Sequence, residues 1–171
     1  MDVIAECINW NAARYDRISN SVLSIALLEE EINELLAAKD IIEVADACGD
    51  IVFVAIGALW KLGFEHEEIY SIISYEMPPL ATVSAAKERG ITCAKLNELV
   101  YLIYLGLSDY VDKYLAMFCI GHHIGVICEI ICKSNNTKSI EGKTDPSVKA
   151  NKSKGANYVS PKEDLKKLLC N

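Results

Sequence analysis

The chain has 171 residues, 51% of them hydrophobic, with 17 Lys and Arg against 24 Asp and Glu and a formal net charge of −7. That length and apolar share support one domain with a buried core and exclude a disordered chain. The acidic balance excludes a general nucleic-acid binder, whose surface must be basic.

Apolar spacing predicts helices nearly throughout, and no strand–turn–strand signal appears. A first helix is expected from Val3 to about Ile18. Ser19-Asn20-Ser21 reads as a cap before a second helix, about Val22 to Lys39. Asp40 is placed as the N-cap of a third, which ends at about Leu62, before Gly63. A shorter helix from Glu65 to Glu76 is stopped by Pro78-Pro79, and Ala81 to Arg89 forms another, ended by Gly90. Two more are expected at about Cys93 to Tyr104 and Asp109 to Lys133, and a last one at Pro161 to Cys170. The apolar runs Ile51 to Trp60 and Tyr114 to Cys132 are read as core helices rather than membrane spans. The first is short, and the second holds His122, His123 and Glu129. The run Tyr101 to Tyr104 is read as core or a subunit contact.

The seven cysteines are odd in number, contain no CxxC, and follow an acidic N-terminus that lacks a basic leader. The expectation is a cytoplasmic protein with free, mostly buried thiols. Cys119, His122, His123, Cys128 and Cys132 crowd one stretch, but their helical phases differ, so a zinc site is not expected. After Cys132 the composition changes. Lys133, Lys138, Lys143, Lys149, Lys152, Lys154 and Lys162 face only Glu141 and Asp145 in a segment rich in Ser, Asn and Gly.

The informative stretch is the second helix and its successor. At about 100° per residue, Glu31 and Glu34 share a face with Leu27, Leu28 and Leu35, while Asp46 and Asp50 share one with Phe53 and Val54. Glu29 and Glu30 read as solvated. A turn near Asp40 folds the two helices into an antiparallel hairpin, which sets Glu34 level with Asp46 and Glu30 or Glu31 level with Asp50. Carboxylates meeting across one seam repel and raise one another's pKa. No Lys or Arg stands at a matching position on either helix, so a divalent cation is the economical counter-charge. All-oxygen ligation points to Mg²⁺ or Mn²⁺. A di-iron bundle is disfavoured, because no Glu-x-x-His pair occurs.

These residues resemble the all-α nucleoside triphosphate pyrophosphohydrolases, a group that includes MazG, the dimeric dUTPases and the phosphoribosyl-ATP pyrophosphohydrolases. Their pattern is ExxE, a spacer, then ExxD. Glu31 and Glu34 match the first block. For the second, Glu43 and Asp46 satisfy the letters with a short spacer. Asp46-Ala47-Cys48-Gly49-Asp50-Ile51-Val52 is similar to the D-A-x-G-D-I-x-V version of phage-type MazG-like proteins, with Ala47 where the common motif has Glu. Asp46 and Asp50 are the favoured ligands, with Glu43 the weaker candidate. Ser134-Asn135-Asn136-Thr137-Lys138 and Lys154-Gly155-Ala156-Asn157-Tyr158-Val159-Ser160-Pro161 resemble the C-terminal blocks of some MazG-like members.

The resemblance implies an all-α, MazG-like helical bundle whose subunits associate through helices as a homodimer or tetramer. Residues 1–132 would form the catalytic bundle, with an insertion at about 65–116, and residues 133–171 would complete the phosphate site. It implies a Mg²⁺-dependent attack at the α-phosphorus of a (deoxy)nucleoside triphosphate, with dUTP or dCTP as candidates and nucleotide-pool sanitation as the role. Glu31, Glu34, Asp46 and Asp50 would hold the metal, and Glu30 or Glu31 would take the proton. Asn135, Lys138, Lys152 and Lys154 would bind the leaving pyrophosphate, with Tyr158 closing over a phosphate or packing. Trp10 and Asn11 are candidates for stacking on the base and reading its edge, against a core Trp and a surface Asn. Arg14 is read as a surface ion-pair partner. Two other readings remain: phosphoribosyl-ATP hydrolysis, and a non-catalytic helical interaction protein that keeps the fold.

Overall fold

The computed structural model describes residues 1–15, 17, 21–138 and 157–170. Among these, every regular element is helical, so the all-α class read from the sequence holds. In chain order the helices are α1 (Val3–Ala12), α2 (Ser21–Ala37), α3 (Ile41–Lys61), α4 (His66–Ile73), α5 (Pro79–Glu88) and α6 (Leu96–Leu105). A wide π-type segment (Gly106–Asp112), α7 (Lys113–Met117), a 3₁₀ turn (Gly121–His123), α8 (Ile124–Asn136) and α9 (Lys162–Leu169) follow.

Helix α3 is the axis of the molecule. Ile51, Ile56 and Leu59 are fully buried along it, and α1, α2, α8 and α9 all pack against it. Local chemistry sets its limits. The Asp40 carboxylate accepts from the backbone N–H groups of Ile42 and Glu43, both at 2.9 Å, which satisfies two donors that an uncapped helix leaves orphaned. At the other end Gly63 takes φ 92°, a left-handed conformation open to glycine at little cost. There the N–H of Phe64 returns to the Leu59 carbonyl and that of Gly63 to the Trp60 carbonyl. Helix α5 starts on Pro79, two residues earlier than the sequence suggests, because proline's fixed φ suits a first helical turn.

The long helix expected over Asp109 to Lys133 does not form. It is broken at Phe118–Ile120, where Cys119 adopts φ 57°. The N–H of Ile120 bonds the Leu115 carbonyl and the N–H of Cys119 bonds the Ala116 carbonyl, the same two-bond C-terminal motif that Gly63 makes. Buried Ile120 and Leu115 supply its apolar contact. The chain bends by 113° at this break. The Cys and His residues of the stretch therefore do not share one helix. Among the described residues no single helix is long and apolar enough to cross a membrane. Helix α8 runs continuously through residues 132 and 133.

Candidate active site

Two cavities lie side by side along the α2–α3 hairpin. The first is an acidic cleft of about 280 Å³. Glu30, Glu31 and Glu34 reach it from α2, and Asp46 and Asp50 from α3. Its other wall is C-terminal: Ile131, Ser134 and Asn135 of α8, then Lys138, Tyr158 and Pro161. The i, i+3 and i, i+4 spacings of the acids put each set on one helix face, and the tight turn at Asp40 brings the faces together.

The acids differ in environment. Glu31 is only 3% exposed. Asp46 and Asp50 are half-buried, and so is Glu30, which the sequence pattern had left in solvent. Glu34 is a correction in the other direction: it lines the cleft, but from an exposed rim rather than a buried face. Burial, followed by the neighbouring charge of Asp50, pushes the Asp46 carboxyl up to about 6; Glu34 adds to this, and Lys162 and Lys138 pull the other way. So lysines do approach the acids, from outside the hairpin. Glu43 takes no part in the cleft. Its carboxylate accepts from the backbone N–H of Lys39 at 2.9 Å and helps close the start of α3.

The second cavity is a smaller, mostly apolar recess of about 80 Å³. Trp10, Leu27, Phe53, Val54 and Ala58 form its apolar walls, and Asn11, Tyr15 and Lys61 are at its polar positions. Glu31, Asp50, Asn135 and Lys138 line both cavities, so the two share a wall. Asn11 is 4% exposed, not a surface residue, and donates from Nδ2 to the Cys7 carbonyl at 2.8 Å. Its amide lies against Gly57, where a Cβ would stand 2.8 Å from Nδ2. Trp10 packs edge-on against Phe53, with centroids 5.2 Å apart, and its indole N–H donates to the Asn135 carbonyl at 2.9 Å.

Arg14 is a further correction. It is 7% exposed, with its guanidinium 4.0 Å from the Trp10 ring centroid, and it donates to the Trp10 and Lys138 carbonyls. It is a clamp between α1 and the end of α8, not a surface ion-pair partner. Lys61 lay outside the sequence reading altogether. Its only signal was a basic residue closing an apolar helix, which reads as an ordinary dipole partner.

The C-terminal block docks on α8. Ser134 Oγ donates to the Val159 carbonyl at 2.9 Å, and the N–H of Val159 donates to Thr137 Oγ1 at 2.9 Å. Thr137 Oγ1 in turn donates to the Ser134 carbonyl at 2.7 Å. Lys138 Nζ donates to Asn135 Oδ1. Asn135, Lys138 and Tyr158 thus reach the acidic cleft together. Lys152 and Lys154 fall outside the described residues.

The cleft's donor set is carboxylate oxygen, the chemistry of Mg²⁺ and Mn²⁺. Among the described residues no three His, Cys, Asp or Glu side chains close to the spacing of a metal cage. Mg²⁺ usually takes one or two carboxylates, several waters and the substrate's phosphates, so an open carboxylate cleft fits it by donor type without a closed cage.

Residues 11–76 match the family model described as phosphoribosyl-ATP pyrophosphohydrolase. The matched segment runs from Asn11 through α2 and α3 and past α4, and holds all five cleft carboxylates. It bears out the resemblance to the all-α nucleotide pyrophosphohydrolases of the MazG-like superfamily. Neither the curated proteins nor the solved structures yield a match to this chain.

Proposed function

We propose that the protein is a Mg²⁺-dependent pyrophosphohydrolase that converts a pyrimidine (deoxy)nucleoside triphosphate, such as dUTP or dCTP, to the monophosphate and pyrophosphate. The observation that supports this best is the shared wall. An apolar recess opens beside an acidic cleft, and Glu31, Asp50, Asn135 and Lys138 belong to both. A nucleotide has the same two parts in the same order, an apolar heterocycle and a highly charged tail.

A divalent cation held by one or two of the carboxylates Asp46, Asp50, Glu31 and Glu34 would neutralise the triphosphate in a cleft that otherwise repels it. Lys138 and Asn135, on the opposite wall, would hold the departing phosphates by charge-assisted hydrogen bonds. Water oxygen bonds to the α-phosphorus, the bond from that phosphorus to the bridging oxygen breaks, and pyrophosphate leaves. Glu31 would take the water's proton, with Glu30 the neighbouring alternative. Trp10 and Phe53 would flank the base. We further propose that the working form is a homodimer or tetramer.

The matching family favours a second reading, phosphoribosyl-ATP as substrate. The test is pyrophosphate release from a panel of NTPs, dNTPs and phosphoribosyl-ATP, with Mg²⁺ and again with EDTA. Metal-dependent release from a pyrimidine nucleotide is the expected result. Release from phosphoribosyl-ATP alone would select the second reading, and no release from any would sink both.

A further inference from the structure

Lys61 presents a problem that the reaction does not solve. It is 7% exposed at the end of α3, and it lines the apolar recess. Its ammonium rests 4.3 Å from the Tyr15 ring centroid, and no carboxylate or carbonyl accepts from it among the described residues. An ammonium carries three donors and no acceptor. Burying it without an acceptor is costly, and such groups persist where a ligand completes them.

Asn11 lines the same recess. Asn11 commits Nδ2 to the Cys7 carbonyl, which fixes the amide and leaves Oδ1 as an acceptor. Oδ1 lies beside Gly57, 3.0 Å from where a Cβ would be. Gly57 and Lys61 are i, i+4 on one face of α3. Helical side chains lean toward the preceding turn, so the Lys61 stem leans toward Gly57 and the Asn11 amide. Among the described residues the recess therefore carries a buried cationic donor and, toward the preceding turn of α3, a buried neutral acceptor, and neither of these two groups has a hydrogen-bond partner.

Position along α3 says which part of a base meets them. Lys61 follows Asp50 by about three helical turns, roughly 16 Å, and leans part of the way back. The carboxylates mark the phosphate end, so Lys61 marks the far end of the recess. In a pyrimidine nucleotide, carbon 4 lies across the ring from the nitrogen that bears the sugar, and nitrogen 3 is beside it. We propose that Lys61 and Asn11 are specificity-determining residues that select a pyrimidine with a carbonyl at position 4, as in uracil or thymine. Lys61 donates to that oxygen and Asn11 Oδ1 accepts from the N3–H. Cytosine presents an amine and a bare ring nitrogen at the same two places and mismatches both. A buried polar site left unpaired in this way rejects the wrong ligand more strongly than a lost apolar contact does. The proposal rests on the reading of the recess as a base pocket.

The test is calorimetric titration of the full chain with dUMP and with dCMP in Mg²⁺, which needs no turnover. The parent protein is expected to bind dUMP about 10- to 100-fold more tightly than dCMP, the range of a hydrogen bond to a charged group. Lys61→Met should remove most of that ratio by weakening dUMP. A melting midpoint no lower than the parent's would show that the variant is folded and that the lysine was not kept for stability. Equal or tighter dCMP binding by the parent, an unchanged ratio in Lys61→Met, or no binding of either nucleotide would overturn the assignment. Selective dUMP binding with no pyrophosphate release from any triphosphate would leave the base assignment standing and remove the proposed reaction.

Discussion

Single residues around the recess make opposed demands on stability and binding. Burial alone pulls the Lys61 ammonium down to about 8 from an ordinary 10.5. Between those two values the unfolded chain holds a proton that the folded chain does not, so stability rises with pH across that window. At pH 7 both states are protonated, and the fold bears the full cost, on the order of 3 kcal/mol. Lys61→Met should therefore raise the melting temperature at pH 7 and flatten the rise above pH 8, as chemical denaturation at several pH values would show. A lower midpoint would mean that the ammonium has a stabilising partner after all. Gly57 makes the opposite case. Alanine there improves helix propensity by roughly 1 kcal/mol, yet its Cβ would stand 2.8 Å from Asn11 Nδ2 and press the amide off the Cys7 carbonyl. Gly57→Ala should cut nucleotide affinity at least tenfold with little change in melting temperature, and unchanged affinity would show that the Asn11 amide is not used.

At the scale of elements, what was legible is what local chemistry announces. The α2–α3 hairpin could be read because Asp40 is a capping residue between two apolar stripes, and Gly63 and Gly90 mark helix ends where the backbone turns left-handed. The break at Cys119 was not legible. It uses the same C-terminal motif as Gly63, but with a residue that gives no signal, and the buried pair Leu115 and Ile120 fixes it. Cys119 there carries about 1 kcal/mol of left-handed strain that glycine would not. Cys119→Gly should stabilise the protein by up to about 1 kcal/mol in urea denaturation, because the residue is exposed and loses little packing; destabilisation would mean that its side chain has a contact of its own. Lys61 and Arg14 were misread or missed for a related reason: a basic residue on a helix normally faces water, and only tertiary packing buries it. The start of α1 is tied to α4 in a way that sequence also hides, through His66 Nε2 and the Asp2 carboxylate at 2.9 Å. Hydrogen bonding to Asp2 raises His66 above its ordinary 6.5, while bonding to Ala5 N–H and then to His66 lowers Asp2 below 3.8. The pair thus contributes fully between those ordinary values. It weakens as pH rises through the raised His66 pKa or falls through the lowered Asp2 pKa. In an NMR titration, Asp2→Asn should move the His66 midpoint down toward 6.5, and an unmoved midpoint would show that the contact is not kept in solution.

Across the whole molecule, the site is assembled from segments far apart in sequence, and this sets what can be removed. Residues 11–76 supply every cleft carboxylate, but the opposite wall, Ser134, Asn135, Lys138 and Tyr158, comes from beyond them. That wall is held by a short chain of hydrogen bonds: Val159 N–H to Thr137, Thr137 to the Ser134 carbonyl, and Ser134 to the Val159 carbonyl. Arg14 and Trp10 hold the same region from the other side, through the Lys138 and Asn135 carbonyls. Removing the C-terminal helix would test this badly, since Leu165 is fully buried and its loss would damage the core. Ser134→Ala with Thr137→Val is the cleaner change. It nearly keeps volume and cuts all three of these bonds, the two to Val159 and the one from Thr137 to the Ser134 carbonyl, each worth about 1 kcal/mol net. If the wall binds phosphate, the double variant should lose stability by about 3 kcal/mol or less. Its kcat/KM should fall by tenfold or more at a temperature where it is fully folded, with the loss greater for triphosphate turnover than for monophosphate binding. Affinity for dUMP should be nearly retained, because the base recess keeps Trp10, Asn11 and Lys61. Equal losses in both measurements would mean instead that the C-terminal block supports the whole site and has no specific part in holding the departing phosphates.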